Sequence, residues 1–246
     1  MTFRDHFSAA SDDYARYRPR YPDDLFAWLA ATAPGRRHAV DVATGNGQAA
    51  TALAGRFDRV SAFDASAAQI AGAEPAPGVC YAVAPAEALP LPDASADCLT
   101  VAQALHWFDI PRFHAEARRV LRPGGVVAEW TYGLTSVDDG PLDDALRRFA
   151  NETVGPWWPP ERAMVDSGYA DVEFPFERIE APGFAMRAQW TLADMIAYLG
   201  TWSAVNRYRG DTGEDPLPAL RQALATLWGD GHREVRWPLL LRAGRA

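Results

Sequence analysis

Short apolar runs recur along the first half of the chain, at residues 40–42, 60–64, 79–83, 98–102 and 126–130, each followed by a turn and a stretch with helical spacing. Runs this short, apolar on both alternating faces, predict strands buried on both sides, and regular alternation with helices makes them parallel. The pattern therefore predicts an α/β fold, a doubly wound and mainly parallel sheet. The first helix is signalled from Pro22, with Asp23 and Asp24 at its positive end, Leu25, Phe26, Trp28 and Leu29 inside, and Pro34-Gly35 to stop it. Further helices are expected over 48–55, from about Ser66, and over 110–121, the last ended by Pro123-Gly124-Gly125. Beyond Trp130 the alternation breaks: a helix over 142–150 precedes the aromatic turn Gly155-Pro156-Trp157-Trp158-Pro159-Pro160, and strand-like segments return at 172–179 and 233–241. Between those two, Thr191 with Asp194 three residues on opens a helix. Its stripe runs Met195, Tyr198, Leu199, Trp202, Val205, Arg209. The expected organisation is a lid segment over 1–21 and a single domain over 22–246, with cap elements around 131–168 and 185–230.

One strand-turn-helix stands out chemically. Val40-Asp41-Val42-Ala43-Thr44-Gly45-Asn46-Gly47-Gln48 carries two glycines spaced G-x-G between a strand and an Ala-rich helix. A side chain at either glycine would block a ligand from the backbone, and glycine is the residue for a turn with positive φ. Asp64, nineteen residues after Gly45, closes the second strand, where an acid accepts hydrogen bonds from ribose hydroxyls. Gly45-x-Gly47-x-x-Ala50 also matches a dinucleotide-binding loop, so the turn alone leaves an NAD-dependent reductase open.

Composition narrows the chemistry. All 24 basic residues are Arg, which excludes a Lys Schiff base and a phosphate loop that needs its Lys. A net charge of −8 argues against nucleic acid as partner. Cys80 and Cys98 each fall in an expected core strand without ligand-like spacing, so two buried reduced thiols are expected, and no metal. No signal-like or membrane-spanning apolar run is present in the sequence, which makes a cytoplasmic protein with no membrane partner the expectation, as a monomer or homodimer.

Four motifs in order give the chain a family likeness. Asp41 to Gly47, Asp64, Ala86-Glu87-Ala88-Leu89-Pro90 and Leu121-Arg122-Pro123-Gly124-Gly125 together resemble the class I S-adenosylmethionine-dependent methyltransferases. Gln103 to Asp109, Tyr198 to Ala204 and the leader Tyr14 to Pro22 look like the trans-aconitate branch of its small-molecule enzymes. The resemblance implies a seven-stranded sheet with its last strand antiparallel, a helical cap over a small-molecule substrate, and S-adenosylmethionine as cofactor, leaving as S-adenosylhomocysteine. It implies a cofactor site of Asp41, Ala43, Thr44, Gly45, Gly47, Asp64, Ala65, Ala86, Glu87, Gln103, Ala104 and Arg18. Asp41 would meet the cofactor ammonium directly or through water, and Asp64 the ribose. Two departures are notable: Ala43 replaces the family's first motif glycine, and Pro85 stands where many relatives place an adenine-reading Asp, leaving Glu87, backbone or shape to do that work.

The acceptor decides what catalysis needs. A carboxylate is already ionised and wants only an Arg or hydroxyl to hold it, whereas a hydroxyl, carbon or nitrogen acceptor would want a base. His106, after the fourth strand, is the candidate base, or else a packing partner of Trp107; His38 and His114 read as surface or helix residues. Tyr14, Trp107, Tyr198, Trp202 and Arg207 are candidate substrate contacts, with cap packing and plain solvation as the alternatives for Trp202 and Arg207. The sequence thus points to methyl transfer to a small metabolite, a carboxylate oxygen first, with a reductase or a non-catalytic cofactor-binding regulator as the other classes.

Overall fold

The computed structural model describes residues 19–246, so Tyr14, Arg18 and most of the expected lid lie outside the described residues. Strands β1 (Ala39–Val42), β2 (Val60–Asp64), β3 (Val79–Val83), β4 (Ala96–Ala102) and β5 (Leu121–Tyr132) form a parallel sheet in the order β3-β2-β1-β4-β5. Helices α1 (Asp23–Thr32), α2 (Gln48–Ala54), α3 (Ala67–Ala71) and α4 (Ile110–Val120) cover it. Every residue of β1 is buried, as expected of a central strand flanked on both faces. At the sheet's edge β3 is only half-buried, so Cys80 is exposed and not the core thiol the sequence suggested.

The second half adds α5 (Gly140–Arg148), α6 (Arg162–Asp166), β6 (Glu177–Ile179), β7 (Ala185–Trp190), α7 (Leu192–Gly200), α8 (Ser203–Thr212), α9 (Leu217–Trp228) and β8 (Arg233–Arg245). The long β8 runs antiparallel to β5 and β6, completing the expected seven-stranded order, and its first half pairs with β7, an eighth strand that the sequence reading did not anticipate. Pro238 sits where β8 ends its pairing with β7 and Leu239 begins pairing with β5, a place where a missing backbone donor is tolerated.

The stripe over 195–209 is two helices rather than one. The Thr191–Asp194 capping box opens α7 as expected, but Trp202 is extended (φ −67°, ψ 134°) and starts α8. Its ring packs against Phe149, Trp158 and Tyr198, so burying the indole turns the chain. Together with Trp190 and Trp237 these rings form the core of the cap; the Trp237 indole donates to the Tyr198 hydroxyl at 3.0 Å.

Behind the sheet a buried ion network joins β5, α4 and β8. Glu129, fully buried, lies 2.8 Å from His114 Nε2 and accepts from Arg242 Nε at 2.6 Å. Arg242 also donates to the carbonyls of Tyr169 and Val172, which ties the segment after α6 to the sheet. His114 lies on α4, one of the two readings of its context, while His38 is no surface residue; both are buried, each with polar partners inside. Removing one member of a buried pair strands the other's charge. Glu129→Ala should therefore cost about 3–5 kcal/mol in urea unfolding, and a loss below about 1 kcal/mol would show that Arg242 finds another partner.

Candidate cofactor and substrate site

The strand order reverses between β1 and β4, and in open α/β sheets ligands bind beyond the carboxyl ends of strands at such a point. Asp41, at the end of β1, is 1% exposed. Its carboxylate accepts from the Thr44 hydroxyl at 2.6 Å and from the Thr100 hydroxyl of β4 at 2.7 Å. Burial pushes its pKa up to about 6; the two hydroxyls oppose the rise and the nearby Asp64 adds to it. Asp64 closes β2, with one oxygen accepting from Gly45 N–H and the other from Ser66 N–H, both at 2.9 Å. The two acids thus shape the loop between them, and among the described residues neither has an ion-pair partner.

That loop keeps its backbone open. Gly45 and Gly47 have φ of +56° and +88°, and a Cβ on Gly47 would come within 2.3 Å of the Tyr81 hydroxyl. Ala43, where the family has glycine, holds the same left-handed conformation (φ +54°) without glycine's freedom. Thr44 is buried, and Ala65, just past Asp64, is exposed. Next to Asp64 in the sheet, Val83 is 54% exposed, an apolar surface at a strand end. The loop over 85–93 is held from behind: Glu116 accepts from Leu89 N–H at 2.6 Å, and Arg119 bonds the Leu89 and Leu91 carbonyls and Asp93. Ala86 is buried, while one Glu87 oxygen accepts from Asp109 N–H at 2.8 Å and so anchors this loop to the start of α4.

Beyond β4 a hydrogen-bonded chain of side chains crosses the site. Gln103 (φ +57°) donates to the Tyr132 carbonyl and accepts from the Thr131 hydroxyl. Tyr169 (φ +62°) has its hydroxyl 3.1 Å from His106 Nδ1. Both Gln103 and Tyr169 hold left-handed backbone conformations here, and neither Thr131 nor Tyr169 was picked out from the sequence. Burial lowers the His106 pKa to about 4, so the ring is neutral at physiological pH. It stacks on Tyr169 and packs against Trp107, which is 41% exposed. Ala104 is buried beside them. Tyr198 and Trp202 sit in the cap's aromatic core, 4% and 6% exposed, whereas Arg207 is exposed on α8. The site thus gathers the strand-end residues, not the whole expected substrate set.

A buried carboxylate pair with no cation beside it among the described residues, an open glycine loop and an apolar strand end suit a ligand with a positive tail, a ribose and a flat base. The chain's relatives share this fold. A family model described as methyltransferase domain matches residues 40–128, from β1 into β5. A candidate methyltransferase of Dictyostelium discoideum is 34% identical over 227 residues, covering 90% of this chain and 86% of that protein. A solved structure from Anaeromyxobacter dehalogenans, described as a candidate type II methyltransferase, is 49% identical with a TM-score of 0.89 over 93% of this chain and 97% of that one. A methyltransferase structure from Anabaena variabilis, 19% identical over 88% of this chain and 98% of that one, shares the fold at a TM-score of 0.55. The chain belongs to the class I S-adenosylmethionine-dependent methyltransferase family. Among the described residues no helix is long and apolar enough to cross a membrane, and no group of His, Cys, Asp and Glu is placed to hold a metal.

Asp41 makes folding pH-dependent. Between pH 3.8 and about 6 the folded protein keeps a proton that the unfolded chain has released, so stability falls as pH rises across that window, by about 3 kcal/mol in all. Urea midpoints of the ligand-free protein should show that fall, and Asp41→Asn should remove it; the same slope in the variant would assign it to another group. Tyr169→Phe should release His106 Nδ1 and move the ring's NMR resonances. If they stay in place, the hydroxyl does not position His106.

Proposed function

We propose that this methyltransferase transfers a methyl group from S-adenosylmethionine to an oxygen of a small carboxylic acid, in the manner of the trans-aconitate branch. The observation that carries the cofactor half is the pair Asp41 and Asp64, buried at the ends of β1 and β2 around an open glycine loop and with no ion-pair partner among the described residues. In this reading Asp41 balances the ammonium of the methionyl tail, the backbone from Ala43 to Gly47 lies along that tail, and Asp64 accepts from the ribose hydroxyls. Ala65, Ala86 and Glu87 would border the adenine, with Gln103 and Ala104 at the methionyl end, and Arg18 from the leader. When bound, the cofactor supplies an electrophilic methyl on a sulfonium centre.

What the protein contributes is binding, alignment and exclusion of water. His106 supports a carboxylate acceptor because it stays neutral to about pH 4 and its Nδ1 is already bonded to Tyr169, so it is a weak base and a fixed wall. A carboxylate needs no base: it arrives ionised and is oriented by a guanidinium or hydroxyl, for which Arg207, Tyr14 and Tyr198 are the candidates, with Trp107 and Trp202 as candidate walls.

Asp64→Ala should weaken S-adenosylhomocysteine binding at least tenfold by calorimetry, about 1.4 kcal/mol, and unaltered affinity would remove the ribose assignment. In a screen of acceptors, carboxylic acids should turn over with kcat unchanged by His106→Ala. Turnover confined to alcohols or phenols and lost in that variant would instead make His106 a general base.

A further inference from the structure

The opposite end of the sheet carries a second constellation that methyl transfer does not use. A surface cavity of about 310 Å³ opens beneath the amino ends of β1, β2 and β4, lined by Arg37, His38, Arg59, Ala94, Ser95 and Arg122. This size lies at the lower end for small-molecule sites, about 300–1,000 Å³. The three arginines come from three separate connections: Arg37 precedes β1, Arg59 precedes β2, and Arg122 opens β5 after α4.

The charges around the cavity do not balance. Arg122 is paired with the buried Asp97 at 2.7 Å, and the other Asp97 oxygen accepts from the backbone N–H groups of Arg37 and His38, both at 2.9 Å. Arg37 and Arg59 are exposed, and among the described residues neither has an ion-pair partner. Three guanidinium groups thus face one carboxylate, leaving an excess of two positive charges in a protein whose net charge is −8.

The floor beneath them is rigid. His38, 1% exposed, has Nε2 2.9 Å from the Ser61 hydroxyl and Nδ1 3.2 Å from the Ser95 carbonyl. The Arg59 guanidinium reaches the same Nδ1 at 3.3 Å, so Arg59, His38 and Ser95 meet at one edge of the cavity. Burial lowers the His38 pKa, with the Ser95 carbonyl and Asp97 opposing and Arg59 and Arg122 acting in the same sense. The turn that brings Ser95 to the site holds Ala94 in the left-handed region at φ +49°, and Gly35 lets the chain pass so close to the Asp97–Arg122 pair that a Cβ would lie 2.6 Å from the Asp97 carboxylate.

We propose that this cavity is an anion site that binds a phosphate group, as free inorganic phosphate or as the phosphoryl group of a small phosphomonoester. Guanidinium forks pair with phosphate oxygens through two parallel N–H···O bonds, and three forks around a compact cavity serve a tetrahedral dianion better than a planar one. An excess of two positive charges matches its charge.

The test follows the His38 ring resonances by NMR while inorganic phosphate, AMP or ionic-strength-matched chloride is added, with and without the double substitution Arg37→Ala and Arg59→Ala. Both substituted side chains are exposed and remote from the strand ends that hold Asp41 and Asp64, so S-adenosylhomocysteine affinity reports an intact fold. Saturable shifts with phosphate, absent with chloride and weakened at least tenfold in the double variant while S-adenosylhomocysteine affinity holds, are expected. Tighter binding of AMP than of phosphate would point to a phosphomonoester as the source, and equal binding to free phosphate. Shifts no different from those in chloride, or an affinity for phosphate unchanged in the double variant, would overturn the proposal.

Discussion

A carboxylate buried with no countercharge among the described residues shapes the working end of this protein. Asp41 lies at the end of the most enclosed strand of the sheet, and two threonine hydroxyls offset only part of what its desolvation costs. Such a group keeps its proton to a higher pH than an exposed acid would, and a cation brought against it would favour its charged form. Asp64 is held differently, by two backbone N–H groups that fold the glycine loop around it. One acid is poised to respond to a ligand, and the other fixes the loop on which the ligand would lie.

The cap depends on the sheet through a second buried charge system. Glu129 of β5 takes Arg242 of β8, and Arg242 in turn holds the backbone at Tyr169 and Val172. Tyr169 then reaches His106 beyond β4. The position of His106 is therefore set from the far side of the sheet, by residues remote from it in sequence. A neutral, hydrogen-bonded imidazole with an exposed Trp107 beside it makes a firm wall, which suits an acceptor that arrives already ionised.

What could be read from the sequence was local. The strand-turn-helix at 40–54, the acid closing the next strand and the capping box at Thr191 each encode their geometry within a few residues, and the parallel order follows from alternating short apolar runs. The misses all involve distant partners. β7 is legible only against β8, because its residues alternate weakly in burial; the break before α8 comes from an indole drawn into a core built by other segments; Cys80 is exposed because β3 turned out to be an edge. His38 was misread as a surface residue because a histidine's burial depends on partners found across the fold, here Ser61. Thr100, a hydroxyl in the middle of an apolar strand, was the one missed site residue that carried a signal of its own; Tyr169 carried none.

The central claim is that the Asp41 carboxylate receives the positive tail of an S-adenosylmethionine-type ligand. Calorimetric titration of S-adenosylhomocysteine at pH 6, repeated in buffers of different ionisation enthalpy, counts the protons exchanged on binding. With the ligand-free carboxyl titrating near 6, binding should release about half a proton per site as Asp41 ionises against the ammonium, and none at pH 8. Binding at pH 6 with no proton released would contradict the account and move the ammonium's partner elsewhere.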